Sequence, residues 1–172
     1  MIKKLLTGVT SMFEVGDKIF YPMHGACLIK AIEEKELLSE KQLYFILDIP
    51  SQKLKIMLAK DKIDQLGVRK VVNGSTIDQV LSEFNHGETD FTINSNLRFR
   101  SNMNKMRTGD IHQGAEVIRD LMRISSKKSL PLGDQNMLSN ARDFLVSEMI
   151  LVLEIPLDQA NDLLDQAISK DT

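Results

Sequence analysis

The sequence has no tryptophan, one cysteine, four prolines and three histidines among its 172 residues, and only 5% of them are aromatic. The lone Cys27 excludes an internal disulfide and a cysteine-rich zinc cluster, which fits a reducing compartment. His24, His86 and His112 lie far apart, and none has a second His or Cys at ligand spacing, so no metal site is expected. No apolar run approaches the roughly 20 residues that a membrane helix needs. The opening Met1-Ile2-Lys3-Lys4-Leu5-Leu6 is charged and then apolar, but too short for a secretory signal and without a small-residue cleavage site after it. Met12 is a second candidate initiator, because folded-looking sequence begins immediately after it. No glycine-rich loop is placed to cradle phosphate, and nothing sets a nucleophile beside a base. The chain therefore reads as a non-enzyme without a cofactor, in the bacterial cytoplasm.

What is present is an ordinary globular composition, 42% hydrophobic and 27% charged, with a net charge of -2 that hides a strong asymmetry. Residues 1–77 carry net +3, 78–97 net -4, 98–128 net +5 and 129–172 net -6. The +5 segment can hold a polyanion despite a pI of about 5.9, unless the acidic tail neutralises it within the fold.

The residue style changes near position 75. Lys18-Ile19-Phe20-Tyr21 reads as a strand ended by Pro22, Cys27 to Ile32 as a second and Tyr44 to Ile49 as a third. Lys53 to Leu58 begins by alternating charge with hydrophobe, as a strand with one wet face does. Four or five short strands in so few residues predict a small SH3-like or Tudor-like barrel over residues 12–72. Glu33, Glu34 and Glu36 read as solvated charge near a hairpin end, and Cys27 as a small buried hydrophobe.

Residues 75–170 read as an all-helical bundle. Ser75, Asp110, Asp134 and Asp158 are the expected helix starts, and Gly109 the left-handed stop of a helix over 95–108. The apolar stripes are Ile77, Val80, Leu81 and Phe84, then Phe99, Met103 and Met106, with comparable sets in three later helices. On the second helix Arg98 and Lys105 are nearly eclipsed, as are Arg100 and Arg107, and the two pairs are separated by about 200°. Such flanks suit phosphate contacts that are salt-dependent and blind to sequence, and no helix-turn-helix reader is evident. Arg119, Arg123, Lys127 and Lys128 extend the positive region.

Several separated segments carry a resemblance. Phe13-Glu14-Val15-Gly16-Asp17-Lys18-Ile19-Phe20-Tyr21-Pro22-Met23-His24-Gly25-Ala26 resembles the opening of the CarD/CdnL family of bacterial transcription regulators, a module shared with transcription-repair coupling factor. Leu66-Gly67-Val68-Arg69 resembles the end of that module. Asn102-Met103-Asn104-Lys105-Met106 with Gly109-Asp110, residues 115–121 and Met137-Leu138-Ser139-Asn140-Ala141-Arg142 resemble the family's helical domain. The resemblance spans roughly residues 12–170, and the coupling factor itself is excluded because no ATPase motif is present.

It implies a Tudor-like domain that pairs an edge strand, about Lys53 to Leu58, with a strand of the RNA polymerase β subunit. Lys35, Lys53, Lys55 and Met57 are the implied polymerase-facing residues. The helical domain is implied to touch promoter DNA at the upstream edge of the bubble and to stabilise the open complex formed with the housekeeping sigma factor. The implied DNA-facing residues are Ser95, Leu97, Arg98, Arg100, Lys105, Arg107 and Arg142. Two departures stand out. Relatives wedge a tryptophan into the minor groove just before the second helix, where this chain has Ser95 with Leu97 nearby. Met57 stands where some relatives carry arginine, and Gln135 and Asn140 occupy positions that are basic in some of them. A monomer is expected, with exposed edge strands leaving room for a domain-swapped dimer. The alternative reading is a protein-only adaptor whose β module binds a partner without DNA contact.

Overall fold

The computed structural model describes residues 12–170. The expectations about Met1 to Leu6 lie outside that range. Five strands, β1 (Lys18–Tyr21), β2 (Gly25–Leu37), β3 (Glu40–Ile49), β4 (Leu54–Ala59) and β5 (Arg69–Lys70), form one antiparallel sheet in the order β4-β3-β2-β1-β5. A 3-10 turn over Lys60–Leu66 joins β4 to β5. Five helices follow: α1 (Gly74–Glu83), α2 (Ser95–Thr108), α3 (Ile111–Ser125), α4 (Leu132–Leu153) and α5 (Leu157–Ser169). The architecture is the expected α+β one, a Tudor-like β module followed by a helical bundle.

Alternation fixes the inside of the sheet. Ile19, Ile29, Phe45, Leu47, Ile49 and Leu58 point to one side and close over Phe13, Cys27, Ile63 and Val68. Burial pushes the Cys27 thiol up to about 12, with the Asp48 carboxylate adding to the effect, so it behaves as the small apolar residue expected. The central hairpin is longer than the sequence suggests. β2 and β3 stay paired from Leu28 out to Leu37 opposite Glu40. The acidic run lies along strand β2, where Glu33 meets Lys35 at 2.6 Å and Glu34 meets Lys41 at 3.8 Å. The two-residue turn Leu38-Ser39 closes the hairpin with both residues at positive φ, 51° and 67°. This is the I′ pattern, which suits the strand twist but usually takes Asn and Gly.

Three helix starts differ from expectation. Asn73, not Ser75, caps α1: its backbone is extended and its side chain accepts from the Thr76 N–H at 2.8 Å. Pro131 precedes α4, which places Asp134 inside the first turn instead of at the cap. Pro156 likewise precedes α5, so Asp158 is a first-turn residue. Asp110 and Gly109 act as expected: Asp110 accepts from Gln113 N–H, and Gly109 turns α2 off at φ 70°.

The two modules share a tight joint. Phe20 and Ala26 of the sheet belong to the helical core, and Phe20 meets Phe144 edge-to-face at 6.4 Å. Two glycines permit this approach. A Cβ on Gly25 would lie 2.9 Å from Ser147 Oγ, and one on Gly109 would lie 2.8 Å from Pro22 Cγ. Both residues also have positive φ, which glycine adopts without strain. Arg69 fastens the joint: its guanidinium forks onto Glu148 at 2.6 and 2.9 Å, donates to Gly109 O at 2.8 Å and lies over the Phe20 ring. Glu148 is 1% exposed and also accepts the Val72 N–H at 3.0 Å.

Candidate nucleic-acid interface and open sheet edge

Helix α2 holds most of the nominated cations. Three of its apolar residues, Phe99, Met103 and Met106, pack against the bundle, leaving long polar side chains to be placed by their neighbours. Arg98 is the most enclosed of these cations. It is only 6% exposed, and its Nε and Nη2 both donate to Asp134 Oδ2, at 3.1 and 2.5 Å. Asp134 sits at the positive end of α4, 2% exposed. An arginine so enclosed ties the start of α2 to the start of α4.

Two other cations are partly spent. Lys105 bonds Glu116 of α3 at 2.9 Å, and Arg142 bonds Asp165 of α5 at 2.5 Å. Of the cations extending the positive region, Arg119 and Arg123 hold the loop after α1. Arg119 donates to His86 O at 3.1 Å and pairs with Asp120, while Arg123 donates to Gly87 O and Phe84 O at 2.9 and 3.1 Å. Lys127 lies 3.6 Å from the Phe91 ring centre, a cation–π contact that leaves it at the surface.

Arg100 and Arg107 are different. Both are exposed, and neither forms a hydrogen bond or ion pair among the described residues. Seven residues apart, they share one side of α2 with about 10.5 Å between them along the axis. Ser95 is the first residue of α2 and exposed, and Leu97 in the same turn is 61% exposed. The structure adds a residue that sequence reading missed: Leu132, first in α4, is 71% exposed. A recess lined by Ser95, Asn96, Phe99, Pro131, Gly133 and Asp134 shows that the two helix starts lie together. The available signal was a leucine directly after proline and off the apolar stripe of its helix.

The β module presents a sheet edge. β4 pairs only with β3, so alternate backbone groups along its other side face outward unpaired. The opposite edge, β5, is two residues long, and its Arg69 is committed to the helices. Lys55 and Met57 are both exposed, on the face away from the module's core. Cross-strand register puts Lys35 on the same face, through Gln42, but out along the hairpin and bound to Glu33. Lys53 lies in the turn just before β4, at φ 52°.

No helix of the described residues is long and apolar enough to cross a membrane. Among the described residues, no three His, Cys, Asp or Glu gather as metal ligands.

Residues 13–72 match the CarD-like/TRCF RID domain, and residues 79–165 match the CarD C-terminal domain. The chain belongs to the CarD family. A relative from Bacillus subtilis (strain 168), named "Putative transcription factor YdeB", is 41% identical over 141 residues, covering 82% of this chain and 92% of the relative. The gap between the two CarD matches, residues 73–78, holds the Asn73 cap and the first turn of α1.

Proposed function

We propose that this CarD-family transcription regulator grips the RNA polymerase β subunit by strand addition at β4 and braces promoter DNA at the upstream edge of the bubble, stabilising the open complex. The observation that carries the reading is the pairing of an open β4 edge with two uncommitted arginines on α2, joined through the Arg69–Glu148 lock. Residues 12–72 form the polymerase-binding unit, with Lys53, Lys55 and Met57 at the contact and Lys35 at its far end. Residues 75–170 form the DNA-contacting unit. Arg100 and Arg107 take phosphates, Ser95 and Leu97 face the groove, and Lys105 and Arg142 join only by exchanging their present carboxylate partners. Leu97 and Leu132, exposed at the neighbouring starts of α2 and α4, offer the apolar surface that an absent tryptophan would otherwise supply, so the brace depends chiefly on phosphates. The protein works as a cytoplasmic monomer, without catalysis.

The test is promoter opening by polymerase and its housekeeping sigma factor, with and without the protein, on several promoters. A longer-lived or more populated open complex is expected, and no change on any promoter refutes the proposal. The commitment of Arg98, Lys105 and Arg142 to carboxylates favours a second reading, a protein-only adaptor. It predicts no salt-sensitive binding to fork-junction DNA even with polymerase present.

A further inference from the structure

The β2–β3 hairpin runs on past the end of β4. Ala59, the last residue of β4, lies opposite Tyr44, so β3 from Glu40 to Leu43 projects beyond it by about 13 Å. At the tip the chain does two unfavourable things at once. It places Leu38 and Ser39 in a turn that asks for positive φ at both positions, and it leaves Leu38 completely exposed, with Leu37 also half in solvent. Neither choice helps this hairpin fold, and strain kept at an exposed apolar point is characteristic of a contact site.

Charge narrows the occupant. The hairpin lysines Lys35 and Lys41 are taken by Glu33 and Glu34, whereas Glu36 and Glu40, flanking the tip, form no ion pair among the described residues. An apolar point with free carboxylates on both sides repels nucleic acid and fits an apolar recess with a basic rim on a protein. Register narrows it further. No β4 residue lies opposite β3 from Glu40 to Leu43, so a partner seated along the β4 edge can reach the tip on that open side.

We infer that the Leu37-Leu38 tip is a second protein contact, docking into a basic-rimmed apolar recess of RNA polymerase beside the strand that joins β4. The inference rests on the polymerase-binding reading above. Leu38 acts as the anchor and the I′ turn fixes its direction.

The experiment uses the full chain and purified polymerase core enzyme. Leu38→Asn with Ser39→Gly installs the preferred turn residues and removes the apolar point. Tm should rise by about 2–4 °C while polymerase affinity falls about tenfold. Ser39→Gly alone should also raise Tm but bind as the wild type does, because Leu38 remains. Equal binding by the wild type and the double variant overturns the tip contact and leaves the β4 reading standing. No binding by the wild type overturns both. A wild-type protein that self-associates, with a double variant that is monomeric and binds polymerase unchanged, assigns the tip to a second copy and overturns the inference.

Discussion

The β module and the helical module each present a surface to a large partner, and they do so with different chemistry. The β module leaves backbone groups unpaired along β4. The helical module leaves side-chain charge unpaired on α2, at Arg100 and Arg107. A sheet edge is not neutralised by one distant side chain, because a whole row of backbone groups has to be paired or covered. A surface arginine can be, and within this bundle Arg98 and Arg142 are. Charge counted along a sequence therefore overstates what a helix offers to phosphate, and alternation along a strand marks a wet face, while the strand order marks the edge.

The largest effects come from the joint that holds the two surfaces together. Arg69→Met leaves the almost fully buried Glu148 with its charge unmatched by arginine and should cost about 3–5 kcal/mol, read by urea unfolding. If the modules act as one body, conditions that keep this variant folded should still show a weakened promoter effect with polymerase binding retained. Arg98→Met should cost slightly less, about 3 kcal/mol, because Arg98 holds only one oxygen of Asp134 where Arg69 forks onto two. Adding Asp134→Leu should restore most of that loss, which a phosphate-contacting role for Arg98 does not predict.

Next comes a direct test of the free charges. Replacing Arg100 and Arg107 together by Gln should leave polymerase affinity and stability within about 0.5 kcal/mol of the wild type. The slope of log affinity for promoter DNA against log salt should fall by about 1.8, corresponding to two lost phosphate contacts. An unchanged slope would remove these residues from the interface. The smallest effect is a gain. Gly114 lies inside α3 beside a cavity of about 30 Å³, and a Cβ there meets nothing within 4 Å. Gly114→Ala should stabilise the fold by about 0.5–1 kcal/mol with no change in either surface.

Much of this was legible in the residues themselves. The apolar alternation of β1, β3 and β4, the stop at Gly109, the cap at Asp110 and the packing of Met106 are local consequences of neighbouring side chains. The starts of α1, α4 and α5 were misread because several Ser, Asp and Asn residues stand near each one, and Asn73, Pro131 and Pro156 won through backbone geometry that a single residue type does not announce. The outer half of the hairpin is charged and so does not announce a strand, although ion pairs along β2 and across to β3 let those charges lie there.

Sequence alone determined the two modules, their order and the family resemblance, because each rests on periodicity or on residues adjacent in the chain. Tertiary structure alone decided which arginines remain available and how the modules are fixed. Arg98 finds Asp134 from 36 residues away, and Arg69 finds Glu148 from 79. A charge is satisfied by whatever lies within about 3 Å of it, and chain folding, not sequence distance, sets what that is.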